Sequence, residues 1–146
     1  MGACAYVRRM PSSLPDFDTI AGDFAFLDDW DERYRYLIDL GGQLPPFPEE
    51  ERGEMARVRG CASQVWLHFS KEGDVFRIVG DSDAAIVRGL IAVLLSLYDG
   101  KTAADILKVD ADAALASIDL KDHITPQRSN GVASMIARIR AEASAV

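Results

Sequence analysis

The feature that most constrains this chain is the run Ala84-Ala85-Ile86-Val87-Arg88-Gly89-Leu90-Ile91-Ala92-Val93-Leu94-Leu95-Ser96-Leu97-Tyr98. It is shorter than the roughly 20 residues that a bilayer-spanning helix needs, and Arg88, Gly89 and Ser96 interrupt it. A helix that is apolar on most sides must be enclosed by other elements, so residues 84–98 predict a core helix and the remaining chain must cover it. Ser82 or Asp83 is its expected N-cap, and Asp99-Gly100-Lys101-Thr102 its stop.

Cover is available on both sides in sequence. Val65-Trp66-Leu67-His68-Phe69-Ser70 alternates apolar and polar residues with the period of a strand, Lys71-Glu72-Gly73-Asp74 reads as a turn, and Val75-Phe76-Arg77-Ile78-Val79 as an antiparallel partner. Ala56-Arg57-Val58 offers a third strand. Earlier, Phe17, Ile20 and Phe24 recur at helical spacing behind Asp16. Trp30, Tyr34, Leu37, Ile38 and Leu40 do so behind Asp28 or Asp29, before Gly41 and Gly42 end the pattern. Gln43-Leu44-Pro45-Pro46-Phe47-Pro48 cannot continue as helix because proline lacks the amide donor, and Glu49, Glu50 and Glu51 read as a solvated acidic turn. Downstream, Thr102 or a neighbour can cap a short helix through Asp105, Ile106 and Leu107, and a polar, alanine-rich stretch runs to Leu120. Thr125-Pro126-Gln127-Arg128-Ser129-Asn130-Gly131 reads as a polar turn before a last helix. There Val132, Met135, Ile136 and Ile139 share a stripe, with Arg138 and Arg140 off it.

The expected architecture is α+β, a small antiparallel sheet of about three strands packed with helices. A length of 146 residues with 49% hydrophobic content supports one core. The expected division is a flexible leader over residues 1–15, where prolines and serines break any period, and one domain over residues 16–146.

A net charge of −7 opposes binding to phosphate backbones, so no nucleic acid is expected. Arg8 and Arg9 are followed by Pro11, Ser12, Ser13, Pro15 and Asp16 rather than an apolar stretch, so a secretion signal is not expected. Two cysteines, Cys4 and Cys61, make no disulfide framework and favour a reducing compartment, the cytoplasm. His68 and His123 are isolated and no C-x-x-C pair exists, so neither a metal site nor a resident cofactor is expected. Gly100-Lys101-Thr102 has the end of a phosphate-binding loop without its earlier glycine.

The candidate site is Arg57-Val58-Arg59-Gly60-Cys61-Ala62-Ser63-Gln64-Val65. Gly60 suits a tight turn, small polar residues follow the thiol, and Arg57 and Arg59 would stabilise a thiolate if they approach it. The same pattern also fits a cysteine buried as a small hydrophobe. The acids of Asp81-Ser82-Asp83 read first as helix caps and second as groups that orient the Cys61 loop. Arg128 reads as a solvated cation or as one near the thiol.

The chain resembles the SufE family of sulfur-acceptor proteins, including its CsdE relatives. The likeness is carried by Trp30-Asp31-Glu32-Arg33-Tyr34-Arg35-Tyr36-Leu37-Ile38-Asp39-Leu40-Gly41 and Val58-Arg59-Gly60-Cys61-Ala62-Ser63-Gln64-Val65-Trp66. It continues through Gly80-Asp81-Ser82-Asp83-Ala84-Ala85-Ile86-Val87-Arg88-Gly89-Leu90 and His123-Ile124-Thr125-Pro126-Gln127-Arg128-Ser129-Asn130-Gly131, in order, over residues 24–143. The resemblance implies an α+β fold shared with IscU-type scaffolds. It also implies a persulfide acceptor, Cys61, loaded by a pyridoxal-phosphate cysteine desulfurase of the SufS or CsdA kind. The protein would stimulate that enzyme and deliver sulfur to an iron–sulfur assembly scaffold of the SufBCD kind, with no independent catalytic activity. Arg59, Gly60, Gln64, Asp83 and Arg128 are the implied loop or partner-contact positions. Ala62 departs from the family's frequent glutamine after the cysteine. The alternatives are an IscU-like cluster scaffold and an independent thiol enzyme, and the oligomeric state, monomer or homodimer, stays open. A persulfide exposed to cellular thiols is lost by exchange, so Cys61 is expected to rest against apolar side chains, beneath Val65, Leu67 and the helix of residues 84–98.

Overall fold

The computed structural model describes residues 14–145; residues 1–13, which hold most of the predicted leader and Cys4, lie outside them. Among the described residues the order is α1 (Phe17–Phe26), α2 (Trp30–Gly41), β1 (Val65–Glu72), β2 (Val75–Ser82), α3 (Ala85–Tyr98), α4 (Ala103–Lys108), α5 (Ala111–Ser117) and α6 (Pro126–Ser144). Single 3-10 turns occur at Glu49–Glu51 and Lys121–His123. The class is α+β, as expected.

The first two helices start where short acidic side chains accept otherwise unpaired amides. Asp16 accepts from Thr19 N at 2.9 Å and Asp29 from Glu32 N at 2.9 Å. Arg33 then donates to the carbonyls of Phe24 (3.0 Å) and Leu27 (3.1 Å), fastening the end of α1 to α2. Trp30 stacks on His123 with ring centroids 4.1 Å apart, and the Tyr34 hydroxyl donates to the His123 carbonyl. Two of the sequence motifs therefore meet at this contact, which ties the N-terminal helices to the entry of α6.

β1 and β2 pair antiparallel from Val65↔Ser82 to Glu72↔Val75, so Val65, Leu67 and Phe69 face the same side as Gly80 and Ile78. That side meets α3, nine of whose residues are buried, Ile91 and Val93 completely. Each large apolar side chain so enclosed contributes about 1.5–3 kcal/mol. α2 crosses the opposite side of α3 at glycines. A Cβ on Gly89 would stand 2.2 Å from the Leu37 carbonyl oxygen, and one on Gly41 2.7 Å from Gly89 N, so the two backbones touch.

The sheet has two strands among the described residues, not about three. Arg57 pairs with Trp66 through one isolated bridge, because the chain turns away at Gly60 before a ladder can extend. The cap of α3 also differs from expectation. β2 runs through Ser82 into an extended Ala84, which is the N-cap position and has no side-chain cap bond; Ser82 Oγ accepts from Ala84 N instead. The alanine-rich stretch contains α5, whose cap Asp110 accepts from Ala113 N at 3.0 Å. Thr125 caps α6 with Pro126 in its first turn, so Gln127 to Gly131 are helical rather than a turn before the helix.

Candidate functional site

Cys61 lies on the connection between the Arg57 bridge and β1, held on both flanks. Upstream, Val58 N donates to Val65 O and Leu67 N to Ala56 O, each at 2.9 Å. Arg138 of α6 donates to the carbonyls of Arg57 (3.1 Å) and Met55. Downstream, Gln64 N donates to Asp83 Oδ1 at 3.1 Å, and Asp83 N returns a bond to Gln64 O at 3.3 Å. Residues 59–63 lie between these anchors, and Gly60 turns the chain with φ at 91°.

The turn lays the half-buried thiol against the first turns of α6. Cys61 Sγ donates to the Gly131 carbonyl at 3.6 Å, and an added Cβ on Gly131 would stand 3.4 Å from that sulfur. A pocket of about 270 Å³ opens beside it. Ala62 and Ser63 line its loop side, Val87, Leu90 and Met135 its apolar wall, and Thr125, Gln127 and Arg128 its rim. Burial pushes the Cys61 thiol up from its ordinary range, and the charge of Arg57 opposes that push without overcoming it. At neutral pH the resting group is thus a protonated, sheltered thiol.

The expected site residues divide clearly. Cys61 and Arg128 share one pocket; Gln64 and Asp83 are bonded to each other and fix the end of the loop; Gly60 makes the turn. Asp83 therefore orients the Cys61 loop instead of capping α3. Arg59 points elsewhere: its exposed side chain pairs with Glu54, so the expectation that it lowers the thiol's pKa is not met. The Arg128 side chain is exposed and makes no ion pair or hydrogen bond among the described residues. The sheltering wall is the expected one in part: the helix of residues 84–98 supplies Val87 and Leu90, whereas Val65 and Leu67 are committed to the core and Met135 of α6 stands in for them. Arg138 escaped sequence reasoning as a loop anchor, since the carbonyls it serves lie about 80 residues earlier in the chain and an off-stripe arginine looks like any solvated one.

Neither histidine lines the pocket: His68 stands 3.4 Å from Glu51, and His123 is stacked on Trp30. Among the described residues no three His, Cys, Asp or Glu side chains gather to hold a metal ion. No helix among them is long and apolar enough to cross a membrane.

Comparison with known proteins agrees with this arrangement. The family model described as "SufE: Fe-S metabolism associated domain" matches residues 18–143. A SufE-like protein of Rhizobium meliloti is 47% identical over 134 residues, covering 89% of this chain and 96% of the relative. One of Rhizobium etli is 48% identical over 134 residues, covering 89% and 90%. The solution structure of a hypothetical protein from Thermus thermophilus superposes with a TM-score of 0.73 over 90% of this chain and 96% of that one; at 22% identity it speaks for the fold alone. With the family model matched across most of its length and two relatives almost half identical, the chain belongs to the SufE family and has its role in iron–sulfur metabolism.

Proposed function

We propose that the protein is a sulfur acceptor and carrier that takes sulfane sulfur from a cysteine desulfurase onto Cys61, stimulates that enzyme by clearing its persulfide, and passes the sulfur on for cluster assembly. The supporting observation is a free thiol on an anchored loop, half-buried beside a pocket of about 270 Å³ with an apolar wall. In the transfer step the Cys61 thiol first loses its proton to solvent. The thiolate attacks the outer sulfur of the desulfurase persulfide, the S–S bond there breaks, and its electron pair leaves on the desulfurase cysteine as thiolate. Disulfide exchange conserves electrons, so no external oxidant or reductant enters. Delivery repeats the step with an acceptor thiolate as nucleophile.

The partners on this reading are a pyridoxal-phosphate desulfurase of the SufS or CsdA kind and a scaffold of the SufBCD kind, met in the cytoplasm. The pocket beside Cys61 gives the added sulfur a place away from bulk thiols, while Arg128 on the rim is a cation open to a docking partner. Asp83, Gln64 and Gly60 set how far the loop can swing, and Arg59, exposed on the same loop, belongs to the docking face. A cluster scaffold needs several thiolates, and the sequence holds two cysteines in all. An independent thiol enzyme needs a base beside the sulfur, and neither histidine supplies one.

The test is alanine formation from cysteine by the desulfurase with and without this protein. Wild type is expected to accelerate turnover several-fold and Cys61→Ala to leave it at the basal rate. Equal acceleration by Cys61→Ala would overturn the reading.

A further inference from the structure

Arg52 stands nine residues before Cys61, just past a connector whose Pro45, Pro46 and Pro48 have no amide to donate, so side chains must hold that segment on the sheet. Phe47 is buried there, and the Arg52 guanidinium lies over two rings, 5.1 Å from the centroid of Phe47 and 4.7 Å from that of Trp66. Its Nη1 donates to Asp81 Oδ2 at 2.9 Å and its Nη2 to Glu49 Oε2 at 2.9 Å. Asp81 Oδ1 accepts from Ser82 N at 2.8 Å, and Arg88, in the first turn of α3, brings its Nε to 3.1 Å from the same oxygen. The Arg52 and Asp81 side chains are 23% and 21% exposed, so solvent and salt screen this pair less than an ion pair on the open surface.

Trp66 and Asp81 are cross-strand partners, and the register continues through Val65↔Ser82 to Gln64 and Asp83, the reciprocal pair that ends the Cys61 loop. One guanidinium therefore grips both strands two residues inside the mouth of the loop. When Gln64 and Asp83 part, the next pairs to fray are Val65↔Ser82 and Trp66↔Asp81, and there the Arg52 bond and its stack must break as well.

We propose that Arg52 is a positioning residue for sulfur transfer: by clamping Trp66 to Asp81 it holds the end of the hairpin closed, keeps Asp83 where it receives Gln64 N, and so sets how readily Cys61 leaves its pocket. The consequence for transfer rests on the reading of Cys61 as the acceptor. On that reading the clamp keeps a loaded sulfur sheltered until a partner lifts the loop.

The test uses two readouts on the full chain in a Cys4→Ser background with no sulfur loaded: amide exchange at Gln64 and Asp83 by nuclear magnetic resonance, and the rate of Cys61 alkylation by iodoacetamide. Arg52→Gln is expected to speed both by about threefold or more, and to leave exchange unchanged at Phe76, whose amide is bonded to the Lys101 carbonyl towards the other end of the hairpin. Arg52→Lys keeps the charge without the planar fork and is expected to fall between. Because Arg52 acts through Asp81, adding Arg52→Gln to Asp81→Asn is expected to bring little further acceleration. A Cys61 persulfide should be lost to added glutathione faster in Arg52→Gln by the same factor. A wild type that takes no sulfur overturns the acceptor reading, and the two unloaded readouts still decide the clamp. Wild-type rates at Gln64, Asp83 and Cys61 in Arg52→Gln, an equal rise at Phe76, or full additivity in the double variant would overturn the proposal.

Discussion

Replacing Gly60 with alanine tests how the Cys61 loop is held. At φ of 91° an L side chain sits in strained backbone, which costs about 1–3 kcal/mol. The added Cβ would also stand 2.5 Å from Ser134 Oγ and 3.5 Å from Ser134 Cβ, so the hydroxyl must rotate or the loop must lift from α6. Two outcomes follow together in a Cys4→Ser background. Urea unfolding of Gly60→Ala should show a loss of about 1–3 kcal/mol, smaller if the loop relaxes locally. Iodoacetamide should reach Cys61 several-fold faster as the sulfur leaves the Gly131 carbonyl. Adding Ser134→Ala removes the contact with the hydroxyl but not the backbone strain, so the double variant should recover part of the loss and not all of it. Wild-type stability together with a wild-type alkylation rate in Gly60→Ala would refute the claim that this turn holds the thiol in its pocket.

Three further perturbations address other parts of the account. Alkylation of Cys61 should rise with pH to a midpoint above the ordinary thiol range, and Arg57→Gln should move it higher still; a midpoint at or below that of the urea-unfolded chain would contradict the burial argument. The matching stability contribution is fully present below the unfolded thiol's pKa and is lost as pH climbs through the folded one, so the difference in urea midpoint between wild type and Cys61→Ser should shrink on the alkaline side. Gly89→Ala forces a Cβ to 2.2 Å from the Leu37 carbonyl oxygen, an overpacking cost of about 1–3 kcal/mol or more that outweighs the helix-propensity gain of about 1 kcal/mol; a stabilised variant by thermal melting would show that α2 and α3 are not in backbone contact. Arg138→Ala removes donors from the Arg57 and Met55 carbonyls, and should cost about 1–3 kcal/mol in urea while speeding alkylation of Cys61; stability loss with an unchanged alkylation rate would separate α6 from control of the loop.

The elements were legible where a local signal is also the physical cause. Residues 84–98 hold a buried helix, Val65 to Val79 alternates because one face is core, and of the caps offered as Asp28 or Asp29 and as Thr102 or a neighbour, Asp29 and Thr102 serve. Errors arose where two signals compete. Asp83 is a good cap by type, yet its carboxylate serves Gln64 N across the loop, a choice set by 19 residues of intervening fold. Thr125 to Gly131 is polar enough to read as a turn, but a threonine cap followed by proline also starts a helix, and that is what forms. Cys61 is identifiable as the candidate thiol and the helix of residues 84–98 as part of its wall, whereas the contribution of α6 is not: Met135 and Gly131 reach the thiol, and Arg138 the carbonyls of the approach to its loop, from about 70 residues onward, and no local pattern carries such a contact.

The most direct measurement is the intact mass of this protein after incubation with a cysteine desulfurase and cysteine, beside Cys61→Ser and Cys4→Ser. The account predicts a gain of one sulfur atom, reversed by a reducing thiol, on wild type and Cys4→Ser and absent from Cys61→Ser. An adduct that persists in Cys61→Ser, or none on wild type while the desulfurase turns over, would contradict it.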